Sequence, residues 1–170
     1  MPRLVALALA LLLCSCSFDP EAPGTGSNDG NGQPDATAPV ACSHDVYDTE
    51  WNDHHYYLTD PMSWTAARDH CSATGGYLLT LETREEDDAA RSYLLGQRTF
   101  VWIGMQDATD TDDYRWIKTN EVPAYTNWPG NTKPTDATRN CIDLKATFQE
   151  HNWYAWDCAE AEAAVCECDN

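Results

Sequence analysis

The sequence predicts an α+β domain over residues 41–170, with two early helices, later antiparallel strands, a long loop and a disulfide framework. Three observations predict it. Residues 41–170 hold six cysteines, an even number that in an exported chain reads as three bridges. Two stretches between residues 60 and 96 pair helix-start signals with helical spacing of apolar residues. Five short aromatic-rich segments follow, each bounded by polar, Gly or Pro residues, which is how strands read.

The chain opens on a basic start, Met1 to Arg3, and ten unbroken apolar residues, Leu4 to Leu13. A membrane-spanning helix needs about 20, so residues 1–15 read as a secretory signal peptide. Leu13-Cys14-Ser15-Cys16 resembles a bacterial lipobox, in which a cysteine after a small residue is lipidated and becomes the new N-terminus. Cys16 fits better than Cys14, because Ser15 is small and Leu13 is not. A cleaved signal without lipid is the alternative. Residues 16–40 carry the anchor and then a Gly-, Pro-, Asn- and Asp-rich tether with hardly a large apolar side chain. Such a segment buries too little surface to offset its ordering entropy, and as a flexible coil it spans about 25–30 Å.

Asp60-Pro61 followed by Trp64, Ala67 and Cys71 gives a helix cap, a first-turn proline and a core stripe, ended by Gly75-Gly76. Leu78 to Leu81 is apolar. Thr83 and Glu86 then form a capping box, with Glu85, Glu86, Asp87 and Asp88 in the turn where the helix dipole favours negative charge. This second helix runs to about Leu95. Strands are expected at Phe100 to Gly104, Tyr114 to Lys118, Cys141 to Lys145, Asn152 to Trp156 and Ala163 to Cys168. Between the second and third lies a long irregular loop that includes NWPGNTKPTDATRNC, residues 127–141.

Charge narrows the function. The whole chain has a formal net charge of −18, and residues 41–170 hold 24 Asp plus Glu against 9 Lys plus Arg. Such a field repels nucleic acid and anionic membrane surfaces, so the membrane is expected only through the lipid anchor. His54-His55 is the only histidine pair, and no HExxH, GxSxG or activated-cysteine context accompanies it. No enzyme is expected.

The spaced residues together resemble a C-type lectin-like domain from Cys42 to Cys168. They are Trp64-x-x-Ala67-x-x-x-Cys71, Val101-Trp102-Ile103-Gly104-Met105 (similar to the family's WIGL strand), Asn127-Trp128, Cys141, Trp153 five residues before Cys158, and Val165-Cys166-Glu167. The resemblance implies bridges Cys71–Cys166 and Cys141–Cys158, which leaves Cys42 for Cys168. It also implies where to look for calcium. Sugar-binding members carry Glu-Pro-Asn or Gln-Pro-Asp in the long loop and Trp-Asn-Asp in the following strand, whose oxygens hold calcium and sugar together. The matching triplets here are Lys133-Pro134-Thr135 and Trp153-Tyr154-Ala155, and the position two before the loop's cysteine is Arg139. Calcium takes six to eight oxygens, so two cations there predict loss of the principal site and no cofactor. Asp107 and Asp136 match places where some members have auxiliary acidic ligands; they are weak calcium candidates. Trp51-Asn52-Asp53 lies far from the family's position and reads as a chance tripeptide.

The binding residues expected are Lys133, Thr135, Arg139, Tyr154 and Trp156. On a strand Tyr154 and Trp156 share one face while Trp153 faces the core, and the nearby cations suit an anionic ligand. The bland alternative is that these aromatics pack under the loop and the cations balance local acids. Taken together, the expectation is a bacterial lipoprotein, exported and anchored at the cell surface in the outer membrane. Its domain would bind a glycan or protein ligand without the usual calcium–sugar site; the alternative is an atypical calcium-dependent carbohydrate-binding lectin.

Overall fold

A computed structural model describes residues 48–94, 97–147 and 149–169. Cys16, Cys42, Leu95 and the tether lie outside the described residues. The elements in order are β1 (Thr49–Trp51), β2 (His54–Leu58), α1 (Trp64–Ala73), β3 (Tyr77–Leu78), α2 (Arg84–Leu94), β4 (Phe100–Gln106), β5 (Arg115–Trp116), a 3-10 turn (Pro129–Asn131), β6 (Cys141–Ala146), β7 (His151–Trp156) and β8 (Ala163–Asp169). The strand order is β1-β2-β8-β4-β6-β7, with β3 on β8 and β5 on β4.

Three features depart from the sequence reading. The sheet is mixed, because β4 and β8 pair in parallel through Val101↔Ala163 and Trp102↔Ala164. A hairpin, β1–β2, precedes the first helix, and its two turn residues are Asn52 (φ 52) and Asp53 (φ 65). Both positions of a two-residue hairpin turn of this hand need positive φ, which Asn and Asp tolerate. The Trp51-Asn52-Asp53 tripeptide is therefore turn chemistry.

The first helix also starts later than its sequence suggests. Met62 bridges to Glu162 through paired backbone bonds of 2.8 and 3.1 Å, which keeps the chain extended past Pro61. Ser63 takes the cap instead of Asp60, its Oγ accepting from Ala66 N at 3.3 Å. The C-terminus closes as expected, with Gly75 at φ 86 and Gly76 N donating to Cys71 O at 3.0 Å. The second helix has its capping box: Glu86 N donates to Thr83 Oγ1 at 3.2 Å, and Thr83 N to Glu86 Oε2 at 3.0 Å.

Trp64, Trp102, Trp116, Trp128 and Trp153 are all buried, and three of them, Trp64, Trp102 and Trp153, are pinned by their indole N–H. Trp64 Nε1 donates to Ile103 O at 2.9 Å and Trp102 Nε1 to Met62 O at 3.0 Å. Between them β4 presses against residues 78–79. A Cβ on Gly104 would lie 2.5 Å from Leu78 O, so only glycine allows that approach. Cys71–Cys166 ties α1 to β8, and Cys141–Cys158 ties the start of β6 to the turn after β7. Both are the pairings that the resemblance implied. Cys168 is disulfide-bonded as well.

Candidate functional site

The long loop is anchored from beneath by a buried carboxylate. Asp87 sits on the core side of α2 with Leu94 and is 1% exposed. Tyr125 Oη and Asn127 Nδ2 each donate to its Oδ2 at 2.7 Å, and Trp153 Nε1 donates to Oδ1 at 3.2 Å. His151 Nε2 stands 3.0 Å from the same Oδ1. Burial pushes the Asp87 carboxyl up, yet the bonds from His151, Tyr125 and Trp153 outweigh it and hold the group below its usual range. Asn127 also donates to His151 O at 2.7 Å, so the loop's entry is fastened to both α2 and β7. Sequence reasoning placed Asp87 among the helix-dipole carboxylates. The missed signal was its spacing: 87 and 94 lie two turns apart on one face.

Above this floor, Trp128 packs edge-on to Trp153 with ring centroids 5.6 Å apart. A shallow cavity of about 190 Å³ opens between the loop and β7, lined by Pro129, Pro134, Asp136, Arg139, Tyr154 and neighbouring residues. At its edge the Arg139 guanidinium lies 4.9 Å from the centre of the Trp156 ring, which is 39% exposed. Arg139 also stands 3.4 Å from Asp136 Oδ2, both side chains half exposed. An ion pair so solvated adds little, and the guanidinium keeps donors for other partners.

The two cations of the loop thus have different surroundings. Lys133 Nζ donates to Asp112 O at 2.6 Å, latching the loop to the 107–113 turn, while Arg139 lies over Trp156. Thr135 is exposed. Tyr154 is half-buried, with Lys145 Nζ 5.8 Å from its ring centre, and Trp153 and Ala155 face the core.

Asp107 and Asp136 cap turns. Asp107 is buried and accepts from Thr109 N at 3.1 Å, Thr109 Oγ1 at 3.2 Å and Asp112 N at 2.6 Å. Burial opposes the charge, but these backbone donors hold its carboxyl below the usual range. Asp136 Oδ1 accepts from Thr138 N at 3.0 Å and Thr138 Oγ1 at 2.7 Å, which lowers its pKa too. Around the loop triplet the donor set is Lys, Thr, Arg, Tyr and Ala; it does not fit calcium, which takes six to eight oxygens.

A larger cavity of about 490 Å³ lies apart from this face, between the β1–β2 hairpin and α2, walled by Trp51, Tyr56, Leu81, Ala90, Tyr93 and others. No helix among the described residues is long and apolar enough to cross a membrane.

The lectin C-type domain family matches residues 60–168, more than half of the chain, and the chain belongs to that family. The secretory phospholipase A2 receptor of Bos taurus is 34% identical over 123 residues, covering 64% of this chain but only 8% of the receptor. A tetranectin-like protein of Carcharhinus perezii is 33% identical over 111 residues, covering 62% of this chain and 64% of its own. Among solved structures, the C-type lectin domain of murine dendritic cell inhibitory receptor 2 in complex with N-glycan matches with TM-score 0.65 and 22% identity, covering 76% of this chain and 100% of that domain. A calcium-independent type II antifreeze protein matches with TM-score 0.62 and 21% identity, covering 70% and 88%. At such identities the structures speak for the fold alone. The relatives named here by species are animal proteins and lend no support to a bacterial source.

Proposed function

We propose that this C-type lectin domain is a non-catalytic binding module whose long-loop face takes an anionic glycan or a carboxylate-bearing protein surface, with no calcium in the family's principal site. The observation that carries the reading is Arg139 stacked on the exposed Trp156 at the lip of the loop cavity, where the family resemblance places calcium ligands. A fixed guanidinium matches a carboxylate with paired donors, and an indole face offers apolar area to sugar C–H groups or to a protein side chain. Lys133 contributes by holding the loop in place.

The test is a glycan array probed with the purified protein, with calcium and again with chelator. The reading expects chelator-insensitive binding to acidic glycans, lost in Arg139→Glu and weakened in Trp156→Ala. Binding that disappears with chelator would overturn it. Export to the cell envelope and lipid anchoring at Cys16 in an outer membrane are part of the same proposal; the disulfides support export. Cys16→Ser should release the protein from membranes, and persistent membrane association would remove the anchor.

A further inference from the structure

Far along the sheet from the loop, three metal-ligating side chains converge where β2 and β8 pair, His54 opposite Asp169 and Tyr56 opposite Glu167. One ligand atom from each of His54, Glu167 and Asp169 lies within 4.8 Å of the other two. His54 Nδ1 is 2.5 Å from Glu167 Oε1 and 3.3 Å from Asp169 Oδ1. We propose that His54, Glu167 and Asp169 form a binding site for a divalent transition metal of the zinc class, with water completing the shell.

The spacing suits such an ion. Zinc bound tetrahedrally at about 2.0–2.1 Å separates neighbouring ligand atoms by about 3.3–3.4 Å; the His54–Asp169 separation of 3.3 Å already matches, and His54 and Glu167, 2.5 Å apart, move apart to admit the ion. The imidazole selects against calcium, which takes oxygen ligands. The surroundings already orient the carboxylates, as ligand-supporting groups do. Thr80 N donates to Glu167 Oε2 at 2.8 Å, which turns Oε1 towards the site, and the single Tyr77 hydroxyl proton is shared between Glu167 Oε1, 3.0 Å away, and Asp169 Oδ1. Glu167 is 4% exposed, and His54 and Asp169 open the site to solvent.

A resident cation competes for the same oxygens. Lys118 Nζ lies 3.0 Å from both carboxylate oxygens of Asp169 and 2.5 Å from Tyr77 Oη. Metal entry displaces this ammonium, whose side chain is 30% exposed and has solvent to move into. Two carboxylates then balance a divalent ion. Lys118 therefore acts as an internal competitor, and removing it should tighten binding where a merely structural ammonium would not.

The experiment is calorimetric titration of the chelator-treated full chain with zinc chloride at physiological salt. The expected result is one equivalent bound in the micromolar range, weakened at least about tenfold in His54→Ala and tightened in Lys118→Met, with excess calcium failing to compete. Asp169→Ala serves as the second ligand variant where His54→Ala fails to fold. No zinc binding in either the natural chain or Lys118→Met overturns the proposal. So does zinc binding left unchanged by loss of His54 or Asp169, which would place the ion elsewhere on this acidic chain.

Discussion

Two aspartates, each 1% exposed, one on α2 and one on β6, meet opposite fates. Asp87, beneath the long loop, receives the phenol of Tyr125, the amide of Asn127 and the indole of Trp153. Its carboxyl is held below the ordinary range. Asp143, on β6, has the backbone N–H of Tyr154 as a donor, and its Oδ1 makes no hydrogen bond among the described residues. Burial, followed by the charge of Glu162, pushes Asp143 up to about 8. Glu162 is itself raised to about 7 by burial and by Glu160. Equal burial thus gives opposite shifts: the number of donors aimed at the carboxylate decides the sign. Donors surround the acid that fastens the loop; the other is best protonated.

The sharpest way to break this comparison is Asp87→Ala. Removing a buried charge that four side chains face should cost about 3 kcal/mol in urea unfolding, and protease should then cut first within residues 127–141. A loss below about 1 kcal/mol would mean the loop stands without its floor. Next in size is the effect of pH. A carboxyl raised from its unfolded value to about 8 binds its proton more tightly in the folded state. It therefore stabilises the fold at acid pH, and that contribution fades as pH rises from about 4 to about 8. Asp143→Asn should flatten the decline of melting temperature across that range. Asp87 has the opposite sign. Its contribution is complete above the unfolded value of about 3.9 and disappears as pH falls through the lower folded value, so Asp87→Asn should blunt acid unfolding only. The smallest effect is expected from Tyr125→Phe, which removes one donor at a cost of about 1–1.5 kcal/mol and raises the Asp87 pKa, readable by carboxylate NMR titration.

Some of this was legible in residues close together in the chain. Thr83 and Glu86 announced their capping box, and Gly75-Gly76 the end of a helix, because those bonds close within a few residues. Trp64, Trp102, Trp128, Trp153 and the glycine of Val101-Trp102-Ile103-Gly104 stood out through the family pattern. The hairpin Thr49–Leu58 went unread: its first strand has only three residues, and Asn52-Asp53 signals a turn only once strands flank it. The 114–118 segment reads as a strand, yet only Arg115–Trp116 pairs.

The candidate site was legible in part. Lys133, Thr135, Arg139, Tyr154 and Trp156 could be named from one loop and one strand, but their roles could not. Lys133 turns to the Asp112 carbonyl and Arg139 to the Trp156 ring, and nothing local to either residue distinguishes a latch from a stacked cation.

The sequence by itself determined the family, the paired cysteines 71 with 166 and 141 with 158 through that resemblance, and the absence of a calcium-ligand set in the loop triplet. Those properties follow from which residues occupy spaced positions. Only the tertiary structure decided that Asp87 is a floor and Asp143 a protonatable weak point, and that His54 meets Glu167. The partners lie 38 to 66 residues from Asp87 and 113 from His54. Whether a buried carboxylate is charged depends on donors that the fold alone brings to it.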